Sequence, residues 1–149
     1  MRHIVHSLKE TQKIASEIAL AAHGGDVFAL QGELGAGKTV FVKAFAKALG
    51  VRGVVSSPTF LLMKTYNVKG QVSGVKCLVH VDAYRVHDAQ ELVDIGLGEY
   101  LGRPDTVVLI EWAEKVKKMF PQKHVQWIRF QFSKRKDERV LTLMSNPIH

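Results

Sequence analysis

Apolar and polar positions follow two rhythms along this chain, and the switching between them predicts an α/β fold. Residues 27–30 and 106–110 are short, largely apolar runs rich in Val, Ile and Leu. Such runs read as strands covered on both faces, the second of them central in a sheet. Between these strands the spacing changes to that of a helix. Ile14, Ile18, Ala21 and Ala22 share one face of a helix capped by Ser7 or Thr11 and ending near Ala22, before Gly24-Gly25-Asp26 breaks it. Val40, Phe41, Ala44, Phe45, Ala48 and Leu49 repeat the pattern, with Gly50 as terminator. Residues 3–8 read as an edge strand. Residues 60–68 and 75–81 read as two strands joined by the hairpin-type connection 69–74. Leu92, Ile95, Leu97 and Leu101 anchor two short helical pieces around Gly96 and Gly98. Residues 113–120 read as a helix stopped by Pro121. Residues 124–133 and 138–145 alternate as a closing hairpin turning at 134–137, with Ile128, Phe130 and Phe132 on one face.

The stretch after the first apolar strand adds chemistry to this outline. Gly32-Glu33-Leu34-Gly35-Ala36-Gly37-Lys38-Thr39 has the spacing G-x-x-x-x-G-K-[ST] of a phosphate-binding loop, between a strand and a helix as that motif requires. Glycines let the backbone curl with its N–H groups turned inward, and no Cβ blocks the approach of a phosphate. The following helix adds its positive end and unpaired N–H groups. Lys38 supplies a charge for the β- and γ-phosphates, and the Thr39 hydroxyl can ligate a bridging Mg²⁺. The fold class this implies is a P-loop NTPase-type three-layer α/β fold. Its sheet is mainly parallel, with antiparallel additions and a C-terminal hairpin.

Further polar residues stand at strand ends. Glu111 follows the run at 106–110, the pattern of the second metal-side motif of such proteins. An acid there holds Mg²⁺ or orients the attacking water. Asp82 ends the apolar run at 75–81, on the same side of its strand as His80. It reads as a metal-shell or water-orienting acid, or as a cap or turn residue. His80 reads as a hydrogen-bonded core histidine. Trp112 either covers the nucleotide or packs in the core. The extended loop 53–60 carries Ser56, Ser57 and Thr59 near the nucleotide helix, as γ-phosphate sensors or as a turn rich in hydrogen bonds. Arg85 either reaches a phosphate or pairs with Asp88 or Glu91.

Composition narrows the class. The chain has 149 residues, 46% apolar and 23% charged, ordinary globular values that suit one domain over residues 1–149. No apolar run is long enough to span a bilayer, residues 1–9 lack a signal-peptide core, and Cys77 is the only cysteine. A cytoplasmic protein without internal disulfides is expected, with Cys77 a small buried strand residue. Lys and Arg outnumber acids 21 to 14, a net charge of +7 that favours polyanions, or simply makes a solvated basic face. The basic residues cluster at Lys115, Lys117, Lys118 and Lys123, and at Lys134, Arg135 and Lys136.

Five segments together resemble one family. They are the loop from Gly32 to Thr39, Ser57-Pro58-Thr59-Phe60, His80-Val81-Asp82-Ala83-Tyr84-Arg85, the leucine-rich stretch from Glu91 to Leu101, and Leu109-Ile110-Glu111-Trp112. Their order and spacing over residues 11–121 resemble TsaE, the small bacterial ATPase of tRNA threonylcarbamoyladenosine formation. The resemblance implies binding of ATP and Mg²⁺ and slow hydrolysis by the chain alone. It implies work with TsaB and TsaD on the adenosine beside the anticodon, in tRNAs reading codons that begin with A. By position it implies an ATP site made of Thr11 at the adenine end, Glu33, Leu34, Gly35, Ala36, Gly37, Lys38, Thr39, Val40, Thr59 and Trp112. Thr39, Glu111 and Asp82 would stand on the metal side, Lys38, Asp82 and Glu111 would be catalytic, and Thr59 would act as a switch. Val40 departs from the hydroxyl residue many members carry there, so only its backbone N–H serves the α-phosphate. Two other readings stay open: a small nucleotide or metabolite kinase, and a nucleotide-dependent module that binds RNA through the basic surface without meaningful catalysis.

Overall fold

The computed structural model describes residues 1–33, 35, 37–58, 60–70, 72, 74–120 and 124–145. Its strands are β1 (Arg2–Val5), β2 (Val27–Gly32), β3 (Met63–Asn67), β4 (Cys77–Asp82), β5 (Thr106–Glu111), β6 (Val125–Phe132) and β7 (Arg139–Met144). They form one seven-stranded sheet in the order β1-β7-β6-β2-β5-β4-β3. The inner strands β6, β2, β5 and β4 run parallel. Antiparallel β3 flanks them on one side, and β7 then β1 on the other. β5 is buried at all six positions, as its unbroken apolar run requires. β1 is the expected edge strand. The C-terminal hairpin does more than close the sheet, because β6 pairs in parallel with β2 from Val125 to Phe130 and so extends the parallel core.

Ser7, not Thr11, caps helix α1 (Leu8–Leu20). Its hydroxyl accepts from the Glu10 N–H at 3.2 Å, while the Glu10 carboxylate accepts from the His6 N–H at 2.6 Å. Thr11 lies one turn inside the helix, buried. The buried stripe is Thr11, Ala15 and Ala19, continued by Ala22 beyond the helix end; Ile14 and Ile18 flank it and Ala21 is exposed. Small residues line this stripe because α1 packs closely on helix α2 (Lys38–Leu49), which buries Phe41, Val42, Phe45, Ala46 and Leu49 on the sheet. Gly50 ends α2 as expected, its N–H donating to the Ala46 and Lys47 carbonyls. Helices α1 and α2 cover one face of the sheet. Two short helices, α3 (Gln90–Asp94) and α4 (Leu97–Tyr100), cover the other.

Four expectations change. Residues 60–62 belong to a loop, not to a strand: Phe60 and Leu61 are 86% and 65% exposed, and the Leu62 N–H turns back to the Pro58 carbonyl. The helix expected at 113–120 is instead a pair of 3-10 turns, Ala113–Lys115 and Lys117–Met119, since Val116 leaves helical geometry between them. Pro121, its expected stop, lies outside the described residues. Phe132 shares the face of buried Ile128 and Phe130 yet is 45% exposed, because β6 outruns β2, which ends at Gly32 opposite Phe130. Cys77 is half-buried on β4.

Candidate functional site

The chain reverses direction at the C-terminal end of β2, where backbone sterics select glycine. A Cβ on Gly32 would meet the Phe130 carbonyl oxygen at 2.4 Å. Gly37 sits at φ 102°, in the left-handed region, directly before α2. The loop therefore delivers the first turn of α2, with its free N–H groups, to the end of the parallel sheet. Lys38 opens that turn and Thr39 follows it, exposed, with Val40 half-buried behind.

Lys38 is 5% exposed. Its ammonium donates to the Gly32 carbonyl at 2.6 Å and lies 3.5 Å from the centre of the Trp112 ring. Burial pushes its pKa below the ordinary lysine value, opposed by the negative charges of Glu114, Glu111 and Asp82. Those acids arrive from separate segments. Sheet register sets Glu111 of β5 beside Leu30 of β2 and beside Asp82 of β4, so both acids stand at the same end of the sheet as the loop. Glu111 is 7% exposed, and its Oε2 lies 2.8 Å from His80 Nε2. Asp82 is half-buried; its carboxylate accepts from the Ser57 hydroxyl at 3.1 Å and the Tyr84 N–H at 2.9 Å.

Trp112 has the core packing expected as one of its two readings, and it also stands beside Lys38. It packs against the apolar cluster on the α3–α4 face, and its ring meets the Lys38 ammonium and the Tyr84 ring. It does so at φ 57°, a left-handed conformation costly for a bulky side chain. The 53–60 loop reaches the site through Ser57, whereas Ser56 accepts from the Lys64 ammonium at 2.8 Å. Leu34, Ala36 and Thr59 lie outside the described residues. Arg85 is exposed over the Phe60 ring and forms no ion pair with Asp88 or Glu91 among the described residues. The His80 expectation holds in that the ring is buried and hydrogen-bonded.

Two clefts flank the loop. One of about 310 Å³ is lined by Ser7, Thr11, Gly35, Gly37, Lys136 and Arg139 among others. It thus joins the start of α1 to the tip of the C-terminal hairpin. The second, of about 440 Å³, lies between Gly32, Glu33, Trp112, Glu114, Arg129 and Phe132. Glu114, Lys136, Arg139 and Phe132 are site-lining residues that sequence reading missed as such. The only signal was the basic cluster at the hairpin tip, which marks charge but not where the tip lands.

The donor set fits a hard cation held with a triphosphate. Thr39, Asp82 and Glu111 offer oxygen only, as Mg²⁺ prefers. Among the described residues no three His, Cys, Asp or Glu side chains cluster as a self-sufficient metal cage. No helix among the described residues is long and apolar enough to cross a membrane.

Comparison with known proteins gives one family. The family model described as "Threonylcarbamoyl adenosine biosynthesis protein TsaE" matches residues 5–141. The TsaE protein of Bacillus subtilis is 45% identical over 118 residues, 79% of this chain and 70% of that protein. The TsaE protein of Aquifex aeolicus is 42% identical over 117 residues, 76% of this chain and 77% of that one. The crystal structure of YdiB from Bacillus subtilis superposes with a TM-score of 0.76 at 36% identity, covering 96% of this chain and 83% of YdiB, and has the P-loop fold.

Proposed function

The chain belongs to the TsaE family of tRNA threonylcarbamoyladenosine biosynthesis, and on that premise we propose that it binds ATP with Mg²⁺ and hydrolyses it. The observation that carries this reading is the convergence on Lys38. The phosphate-loop lysine, Glu111 and Asp82 come from three separate segments, and the sheet register sets both acids side by side at the end of the sheet from which the loop springs. A triphosphate laid along the loop would meet the α2 N–H groups, the Val40 N–H and Lys38. Thr39, Glu111 and Asp82 would hold Mg²⁺, which when bound draws charge off the β- and γ-phosphates. Glu111 or Asp82 would align the attacking water, so catalysis is positioning plus charge neutralisation. The cleft that holds Thr11 between Gly35 and Arg139 suits the nucleoside end. Glu33 and Trp112 would border the phosphate end, with Leu34, Gly35, Ala36 and Gly37 around the chain of phosphates and Thr59 as the switch.

The proposal extends to the setting. The chain would act in the cytoplasm as the ATPase of a complex with TsaB and TsaD, supporting repeated modification of tRNA. Basic side chains exposed on the 3-10 turns and at the hairpin tip, such as Lys117, Lys118, Lys134 and Arg135, suit tRNA nearby. The test is ATP turnover by the chain alone and with the cognate TsaB–TsaD pair, with modified tRNA assayed in parallel. Turnover raised by the pair, together with repeated tRNA modification, is expected. Transfer of labelled γ-phosphate to an acceptor other than water would overturn it in favour of a kinase. Salt-sensitive tRNA binding without turnover, even with the pair, would overturn it in favour of a binding module.

A further inference from the structure

His80 and Glu111 form the only ion-pair geometry between two buried side chains among the described residues. His80 is 2% exposed and Glu111 7%. Their side chains meet across the parallel β4–β5 pair on a diagonal, since the Cα partner of His80 is Leu109, two residues before Glu111. Nε2 and Oε2 are 2.8 Å apart, and this is the one side-chain hydrogen bond Glu111 makes among the described residues. His80 Nδ1, equally buried, has no hydrogen-bond partner among the described residues.

The contact has a preferred polarity: an ionised carboxylate only accepts, so against it Nε2 would be the donor and Nδ1 would be left as a bare lone pair. The opposite tautomer would set two lone-pair atoms against each other and bury an orphan N–H at Nδ1, the costlier arrangement. An Nε2–H donating to Oε2 holds the carboxylate in one orientation. Asp82, two residues along the same face of β4, is held separately by Ser57 and the Tyr84 N–H.

We propose that His80 is a positioning residue, whose Nε2–H clamps Glu111 Oε2 so that Oε1 is presented to the metal or the water of the reaction. The proposal rests on the ATPase reading for what Glu111 faces, but not for the clamp itself. Partners of this kind, acting through a ligand or base, typically change affinity or activity tenfold to a hundredfold when removed.

Two measurements decide it. In the free chain, without metal or nucleotide, the imidazole ¹⁵N resonances of His80 report its tautomer. A proton on Nε2 that is lost or redistributed in Glu111→Ala supports the clamp; a proton on Nδ1 overturns it. In turnover assays, His80→Leu should lower kcat by about tenfold to a hundredfold, with KM for ATP changed by no more than about twofold. His80→Gln can set an amide N–H where Nε2 stood and should recover most of that loss. In a Glu111→Ala background His80→Leu should cost nothing more. Wild-type turnover in His80→Leu, no recovery in His80→Gln, or an equal loss on the Glu111→Ala background would each overturn the role. Where His80→Leu fails to fold, the spectra and His80→Gln carry the decision. A wild-type chain that never hydrolyses ATP sinks the ATPase reading, and the spectra still decide the clamp.

Discussion

Lys38 is held at a cost in the free chain. Its ammonium is nearly out of contact with water, and one carbonyl, one aromatic face and the negative charges of three acids offset its lost hydration. The folded pKa lies below the ordinary 10.5, so the folded state is penalised at any pH where both forms are protonated. That penalty fades as pH rises through the folded value towards 10.5. Lys38→Ala should therefore abolish hydrolysis while leaving the melting temperature of the free chain unchanged or higher. Unchanged turnover in a folded variant would refute the role. Glu111→Ala should lower turnover by about a hundredfold or more while ATP binding falls less; equal loss of both would point to metal loading or structure instead. Glu114 has the opposite chemistry. Burial raises its pKa above 4.5 against the pull of its own backbone N–H, Lys38 and Lys115. Folding is thus penalised once the group ionises, and the penalty grows as pH rises from 4.5 through the folded value. Glu114→Gln should stabilise the chain at neutral pH, with the gain shrinking on acidification; thermal melts across that range measure it.

The helix that follows the phosphate loop is anchored by aromatic contacts. Phe45 meets Phe28 of β2 at 5.0 Å between ring centres, and Phe41 meets Phe130 of β6 at 5.3 Å. These pairs tie the first two turns of α2 to the two strands that border the loop. Phe45→Ala should cost about 3–5 kcal/mol in denaturant unfolding, because it leaves a cavity beneath that helix. Ser7→Ala should cost about 1 kcal/mol, the usual value of a lost N-cap. Elements defined by their own residues were legible: β2, β5, α2 and its Gly50 end follow from apolar spacing and terminators. Elements defined by neighbours were not. Residues 60–62 look strand-like, but Leu62 turns left-handed at φ 63° with its N–H bonded back to the Pro58 carbonyl, so only its own carbonyl, accepting from the Asp82 N–H, still reaches β4. The stretch at 113–120 looks helical, but Trp112 turns left-handed beside the site and only 3-10 turns follow.

For the molecule as a whole, the site is a meeting of ends. The parallel order β6-β2-β5-β4 brings residues from the first third, the middle and the last third of the chain to one edge. A ligand gripping that edge stabilises all of it at once. At about a hundred times its dissociation constant, ATP with Mg²⁺ should add roughly 2.7 kcal/mol to folding stability. A chelator should diminish that gain, and Lys38→Ala should largely erase it, as read by the shift in melting temperature.

Much of the site was written locally. Consecutive residues determine a phosphate loop, since glycine freedom, a lysine and a helix start all act within one turn of backbone. Acids at strand ends were legible for the same reason: a run of apolar residues stops where the sheet meets water. What only the assembled sheet decided is who stands beside whom. His80 read as a core residue until β4 and β5 paired and set its ring against Glu111. The hairpin tip read as a basic turn until β6 docked on β2 and carried Lys136 and Arg139 to the cleft of Thr11. Those contacts join residues far apart in the chain, and their geometry comes from strand order and register, which no local spacing encodes.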